Sequence, residues 1–389
     1  MRLLGKFKRK YGLAGIAIFL GLFAAFFILE LTVRLALPKA LWEFKDATDD
    51  WTIDSRIGWV QKGNLDVIAR NDTGHWISFK TNADGLQPSN ARPAKLSGTI
   101  RVLMIGDSTV VGRAVAEEDR VHRQLEQRLH SIGIRAEVLN AGVQGFSTDQ
   151  ELLLLEKLGP AYRPDIIILA VCTNDFAQNG SGSANGLSKP HFERESSGEL
   201  RYIPPQQQDR IRRFGRGLTA WLQYSALYRA IQPAIFGVRA ALGNWRERNM
   251  LGLADELYYS SEVLNNVDWA MFEALLVRMH RLSATLGAKF YVYMHPAIDE
   301  VWNPYIENSI RRAGIPPGNY DRYAVEKKIA GIASRYDISF IPQIDAFLRR
   351  SPDGPFHLLP RDSHCNEVCY RITSQIIAGN IFPGNSAWR

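Results

Sequence analysis

The chain has 389 residues, 46% apolar and 22% charged, enough to bury the core of one large domain or two ordinary ones. Its net charge of +7 is uneven: Arg2, Lys6, Lys8, Arg9 and Lys10 supply five of the 47 basic residues, leaving 42 basic against 40 acidic elsewhere. A nucleic-acid footprint should persist in the folded part of a chain, so no nucleic-acid partner is expected.

Tyr11 to Leu29 carries no charge and is almost entirely apolar. Nineteen helical residues span about 28 Å, close to the hydrocarbon thickness of a bilayer. Basic residues precede this run, and Glu43, Asp46, Asp49 and Asp50 follow it. The positive-inside rule then predicts a basic cytoplasmic tail over 1–10 and a transmembrane helix over 11–36. It makes the chain a single-pass inner (cytoplasmic) membrane protein with its main domain on the periplasmic, extracytoplasmic side. A cleaved signal peptide would have a shorter apolar region and a small-x-small site. Leu35-Ala36-Leu37-Pro38 is a poor one, so an uncleaved anchor is expected.

Residues 37–99 read as a juxtamembrane segment with one or two hairpins, Trp76-Ile77-Ser78-Phe79 being one alternating run. From residue 100 the pattern changes. Strands are predicted over Arg101–Ile105, Ala136–Leu139, Asp165–Val171, Lys289–Met294 and Ile338–Ile341. Between them, Val121, Leu125, Leu129 and Ile132 mark a helix face, and Thr148-Asp149-Gln150-Glu151 reads as a capping box. Further helices are expected near 267–286, 321–335 and from Asn366, the last with Val368, Ile372 and Ile376 inward. Strands alternating with helices imply an α/β fold, a three-layer α/β/α sandwich around a five-stranded parallel sheet. The domain would run over 100–389 with a helical insertion at about 176–265. That insertion is rich in arginine between 209 and 248 and reads either as a solvated basic face or as a lid toward lipid or an anionic substrate. Three cysteines, Cys172, Cys365 and Cys369, allow at most one bridge.

Ligands of such sheets bind beyond the carboxyl ends of the strands. Ser108 follows the first strand, Asn140 through Gly145 the second, Thr173-Asn174-Asp175 the third, His295 the fourth and Asp362-Ser363-His364 the fifth. These are the parts that acyl transfer needs. A serine hydroxyl is a weak nucleophile until a neutral histidine takes its proton, and His364 is the candidate. Asp362 would orient that imidazole. The backbone N–H groups of Ser108 and Gly145 and the Asn174 side-chain amide are candidate oxyanion donors. Asp107, His295 and Thr173 are candidates to line the pocket, while Asp107 and Asp175 read as acceptors that fix turns. His357 reads as a loop residue, and Asn140 and Gly142 as residues that shape their loop.

Together these blocks resemble the SGNH hydrolase superfamily, the GDSL-type esterases and lipases. Gly106-Asp107-Ser108 matches the first block of that superfamily, Asn140–Gly145 the second, Asn174-Asp175 the third, and Asp362 with His364 the last. The resemblance covers roughly residues 100–382. Thr81-Asn82-Ala83-Asp84-Gly85-Leu86 is similar to the lead-in of membrane-tethered bacterial members. It implies a flavodoxin-like sandwich that works without a metal or other cofactor. Its roles would be Ser108 as nucleophile, His364 as base, Asp362 as orienter, and Gly145 and Asn174 as oxyanion donors. Thr109 stands where the leucine of the family's popular name is usual, and Cys369-Tyr370 where a Gly-His pair is common.

The expected function is a membrane-anchored serine hydrolase that cleaves O-acyl, in particular acetyl, esters through an acyl-serine intermediate. Its partners would be an acyl-ester substrate on a glycan or lipid and the membrane itself. Two alternatives stay open: an O-acyltransferase acting on a cell-envelope glycan, and a tethered binding protein without turnover. Oligomeric state is not readable from the sequence.

Overall fold

The computed structural model describes residues 2–36, 50–70, 76–88, 90–184, 187–196, 198–206, 225–228, 267–303, 307, 310, 316–350, 354–358 and 364–383. The chain divides into two compact units, residues 1–46 with 209–248, and residues 47–208 with 249–389.

In the smaller unit, α1 runs over Arg2–Ala36. Its side chains are described at residue 18 and from residue 20 onward, and Leu22, Phe23, Phe27, Ile28, Leu29 and Leu35 are all exposed. The Glu30 carboxylate accepts hydrogen bonds from Ser225 Oγ at 2.7 Å and from the backbone N–H groups of Ala226 and Leu227 at 2.7 and 2.9 Å. Among the described residues no helix is long and apolar enough to cross a membrane. The arginine-rich stretch expected to form a lid, apart from 225–228, lies outside the described residues.

The larger unit opens with two antiparallel hairpins. They are β1 (Trp51–Asp54) with β2 (Gly58–Gln61), and β3 (Asp66–Arg70) with β4 (Trp76–Lys80). Ile57, Trp59, Leu86 and Ala91 from this region join the main core. Gln87 exchanges backbone hydrogen bonds with Asn140, which ties the lead-in to the outer edge of the central sheet. That sheet contains β5 (Ile100–Ile105), β6 (Ala136–Asn140), β7 (Ile166–Val171), β12 (Lys289–Met294) and β13 (Ser339–Phe340).

All pairings in this sheet are parallel, in the spatial order β13-β12-β7-β5-β6. Val102 to Ile105 and Ile167 to Val171 are fully or almost fully buried, as central strands covered on both faces must be. The helices between and after the strands include α2 (Ser108–Val111), α3 (Val121–Ser131), α4 (Thr148–Tyr162), α6 (Trp269–Thr285), the short α7 (Ile298–Val301), α8 (Ala324–Arg335) and α10 (Glu367–Ile381). They cover two separate apolar cores. One holds Leu103, Leu169 and residues of α4, α6 and α8, the other Met104, Ile168 and residues of α3 and α10. Numbered along the chain, the strand order is 2-1-3-4-5. The direction in which successive strands are added reverses between β5 and β7, which opens a crevice at their carboxyl ends.

Three expectations need correction. The helix α4 begins at Thr148 with Ser147 in the cap position, so Thr148 is not the cap. Its hydroxyl instead donates to Asp175 Oδ1 at 2.9 Å, and the Glu151 carboxyl stays buried with no hydrogen-bond partner among the described residues rather than reaching back. The interval from 176 is helical only as far as Gln178 in its first stretch. After α5 (Thr173–Gln178) come two hairpins, β8 (Ser183–Ala184) with β9 (Leu187–Ser188) and β10 (His191–Arg194) with β11 (Leu200–Ile203). The fifth sheet strand is also shorter than its apolar run: Ile338 N donates to Ala333 O in the turn before it, and after Ile341 N donates to Val292 O the chain turns into α9 (Ile344–Arg349).

Candidate active site

Ser108 is the first residue of α2, one step beyond the Gly106-Asp107 turn that ends β5. Asp107 caps this short helix, its Oδ1 accepting from Thr109 N at 2.9 Å and Thr109 Oγ1 at 2.7 Å. Its other oxygen lies 3.5 Å from Ser108 Oγ, too far to compete with a better partner. That partner is His364, whose Nε2 lies 2.8 Å from Ser108 Oγ across 256 residues of chain. Asp362 lies outside the described residues.

The loop after β6 is held against α2. Asn140 Nδ2 donates to Val110 O at 2.6 Å, while its Oδ1 accepts from Gly142 N at 2.9 Å. A Cβ at Gly142 would stand 2.6 Å from the Val111 backbone nitrogen, so the two segments can approach this closely only with glycine there. Gly145 has φ +71°, a backbone reason for glycine beyond the steric one expected from the sequence. Trp59 reaches this loop from β2, its Nε1 donating to Gln144 O at 3.0 Å.

Asn174 sits in the first turn of α5, after β7. Its Nδ2 donates to Phe146 O at 2.6 Å. A side-chain amide carries two N–H donors, so this bond fixes the group and leaves one donor for a ligand. Asp175 points the other way, into the protein, where its Oδ2 accepts from Cys172 N at 2.7 Å. Behind it lies a buried acidic group that sequence reasoning did not find. Asp149 takes the ammonium of Lys189 at 2.6 and 2.5 Å, both side chains being inaccessible to solvent. Burial first, and the charge of Asp107 next, push the Asp175 carboxyl up to about 8. Burial and the neighbouring carboxylates of Asp175 and Asp107 likewise raise Glu151 well above the ordinary range. A lone lysine in a polar stretch, as Lys189 is, offers no sequence signal of such a pairing.

His295 follows β12 and is buried, with its backbone N–H on Val171 O at 2.7 Å and its Nε2 3.2 Å from Cys365 Sγ. Desolvation, with His357 and His364 nearby, lowers its pKa to about 3, so it stays neutral. His357 is buried too, pairs across a β-bridge with Cys365 and places its Nε2 3.1 Å from Pro296 O. It is therefore part of the packing behind the site rather than a plain loop residue. Cys365 and Cys369 form a disulfide, and Cys172 is a free cysteine. Among the described residues, His295, Cys365 and Cys369 form a group whose donor atoms lie close enough to share a metal ion.

These elements surround one cleft of about 300 Å³. Asp107, Ser108, Gly145, Thr173, Asn174, His295 and His364, all named from the sequence, line it. Gln144, Gln178 and the turn from Pro296 to Ile298 line it as well and had not been singled out. A hydroxyl 2.8 Å from an imidazole, with backbone and amide donors on the same rim of a parallel sheet, is the arrangement of a serine ester hydrolase. The sequence agrees at the level of the family. Residues 104–372 match the GDSL-like lipase/acylhydrolase family, and the chain belongs to it.

No curated protein matches the chain. Among solved structures it is similar to an acetyl xylan esterase at 15% identity, covering 73% of this chain and 100% of that one with a TM-score of 0.40. An α/β hydrolase enzyme from the metagenome of Lake Arreo, Spain, gives 12%, 76%, 100% and 0.41. An acetyl xylan esterase from Geobacillus stearothermophilus gives 13%, 72%, 94% and 0.37. The family assignment rests on the sequence match alone.

Proposed function

We propose that the protein is a membrane-anchored serine esterase that removes small O-acyl groups, acetyl foremost, from a glycan or lipid through an acyl-serine intermediate. The observation that carries this reading is the 2.8 Å contact between His364 Nε2 and Ser108 Oγ. His364 accepts the hydroxyl proton as Ser108 Oγ attacks the ester carbonyl. The charge that develops on the carbonyl oxygen is met by the N–H groups of Ser108 and Gly145 and by the free donor of Asn174. Collapse expels the alcohol, protonated by His364, and a water molecule then repeats the sequence to release the acid. Asp362 orients the imidazole and steadies its cation. A cleft of about 300 Å³ lies at the small end of ligand pockets, which favours a short acyl group.

Two observations support the anchor. The helix α1 continues through the uncharged run from Tyr11 to Leu29, and its described apolar side chains other than Val33 are exposed, which suits lipid and not water. The disulfide Cys365–Cys369 fits an oxidising compartment, as expected for a domain outside the cytoplasm. Protease treatment of intact spheroplasts should remove the hydrolase domain, and a domain that stays protected refutes the orientation.

The test of the chemistry is hydrolysis of an aryl acetate by the full chain in detergent, wild type against Ser108→Ala. The variant should fold normally and lose at least ~1,000-fold in turnover. Undiminished turnover would remove Ser108 as nucleophile. Acyl release that requires an added sugar acceptor would make the protein a transferase instead. Ligand binding without either reaction would make it a binding protein.

A further inference from the structure

His364 is followed at once by Cys365, which is bonded to Cys369 in the first turn of α10. The buried imidazole of His295 rests on the same pair, its Nε2 3.2 Å from Cys365 Sγ. No oxygen or nitrogen satisfies this ring: Nε2 meets a sulfur, and Nδ1 is buried without a hydrogen-bond partner among the described residues. An imidazole packed on two sulfurs is poorly served as a structural group. It is the donor set of a thiophilic cation. The three donor atoms all lie within 4.8 Å of one another, and all three residues are buried.

A tetrahedral Zn²⁺ site has Zn–S near ~2.3 Å and Zn–N near ~2.0 Å, which separates its ligand atoms by roughly 3.5 Å. His295 and Cys365 already stand at about that separation. Once the bond between the sulfurs opens, the two must part to share one cation, which moves Cys365 as well as Cys369. Cys365 lies just before the helix and Cys369 in its first turn, and the disulfide already brings their sulfurs to one place.

We propose that His295, Cys365 and Cys369 form a redox-gated site for a zinc-like cation beside the catalytic base. In the disulfide form the site is closed. A dithiol reductant opens it by exchange: the protein disulfide becomes two thiols and the reductant becomes a cyclic disulfide. Cation binding then releases both thiol protons, and the cation takes two thiolates and a neutral imidazole. Because Cys365 is bonded to His364 along the chain, occupancy draws the base out of line with Ser108 and suppresses turnover. That last effect rests on the proposed role of His364, whereas cation binding does not.

The test uses the full chain in detergent, oxidised or reduced anaerobically with the reductant removed, titrated with Zn²⁺ and separately with Co²⁺. The reduced chain should take up one cation and show a thiolate-to-cobalt charge-transfer band, and the oxidised chain should show neither. The double variant Cys365→Ser, Cys369→Ser should lose the band, and His295→Ala should weaken binding at least ~10-fold. Turnover of the reduced chain should fall at least tenfold with Zn²⁺ and return with a chelator. Should the double variant not fold, alkylation of the reduced wild type decides the matter, since Zn²⁺ should protect Cys365 and Cys369 but not Cys172. Absence of the band, a band that survives the double variant, or protection of Cys172 in place of the pair overturns the site. Binding as expected with turnover unchanged keeps the site and overturns its effect on the base.

Discussion

The two halves of the active site are built differently. Ser108, Gly145 and Asn174 sit at or just beyond the ends of β5, β6 and β7, the most deeply buried part of the sheet. Their side of the cleft is wired by buried hydrogen bonds: Asn140 to Val110, Asn174 to Phe146, and Asp175 to Cys172 and Thr148. His364 comes instead from the stretch between α9 and α10, tied by a β-bridge, a disulfide and the cap of α10. The contrast teaches a division of labour. Donors and nucleophile must hold sub-ångström positions, so they grow from close-packed structure, which resists displacement. The base must only reach the hydroxyl, and a tethered segment can supply it.

The largest expected effect tests whether both halves act as one unit. His364→Ala should cost about as much as Ser108→Ala, at least ~1,000-fold in turnover on an aryl acetate, with thermal unfolding unchanged. A His364→Ala enzyme of near wild-type rate would detach the tethered half from the chemistry. Next comes the buried wiring of the sheet side. Lys189→Met leaves the Asp149 carboxylate buried and unpaired, and should cost ~3–5 kcal/mol in denaturant unfolding. A loss below about 1 kcal/mol would mean that this network does not hold the sheet side together. Asn174→Ala should lower kcat by ~100–1,000-fold with little change in KM, since its free donor serves only the developing oxyanion. Equal loss in binding would make it a substrate clamp.

The fourth expectation concerns protons. Unfolded, the Asp175 carboxyl ionises near ~4; folded, it keeps its proton up to about 8. The native state therefore binds more protons between those values, and stability falls as pH rises through that window. Asp175→Asn, which keeps an acceptor for Cys172 N–H, should flatten the fall of Tm between pH 4 and 8. An unaltered slope would show that Asp175 does not titrate there. The smallest effect is on the tethered side. Asn366 Oδ1 caps α10 through Cys369 N at 3.0 Å, and Asn366→Ala should cost ~1 kcal/mol. A cost of 3 kcal/mol or more would make that side as rigidly built as the sheet.

Much of this arrangement was legible in the sequence because its signals are local. Val102–Ile105 and Ile166–Val171 are apolar runs of strand length, and the residues after them announce the cleft rim. Lys289–Met294 was placed to the residue, and the last helix starts next to Asn366, where its apolar pattern begins. The misreadings came where a side chain is claimed by something distant. Thr148 looks like a helix cap until Asp175, 27 residues away, takes its hydroxyl. His357 looks like a loop histidine until the fold buries it against Pro296.

By itself the sequence determined the alternation of strands and helices, the parallel sheet that follows from it, and which residues end each strand. Those properties depend on neighbours within a few residues, through period, propensity and turn chemistry. Tertiary structure alone decided the other partners: Lys189 with Asp149, Cys365 with Cys369, and Asn174 with Phe146. Each pairing needs a distance and a direction between segments that only the folded sheet and its helices bring together, and one-dimensional spacing contains neither.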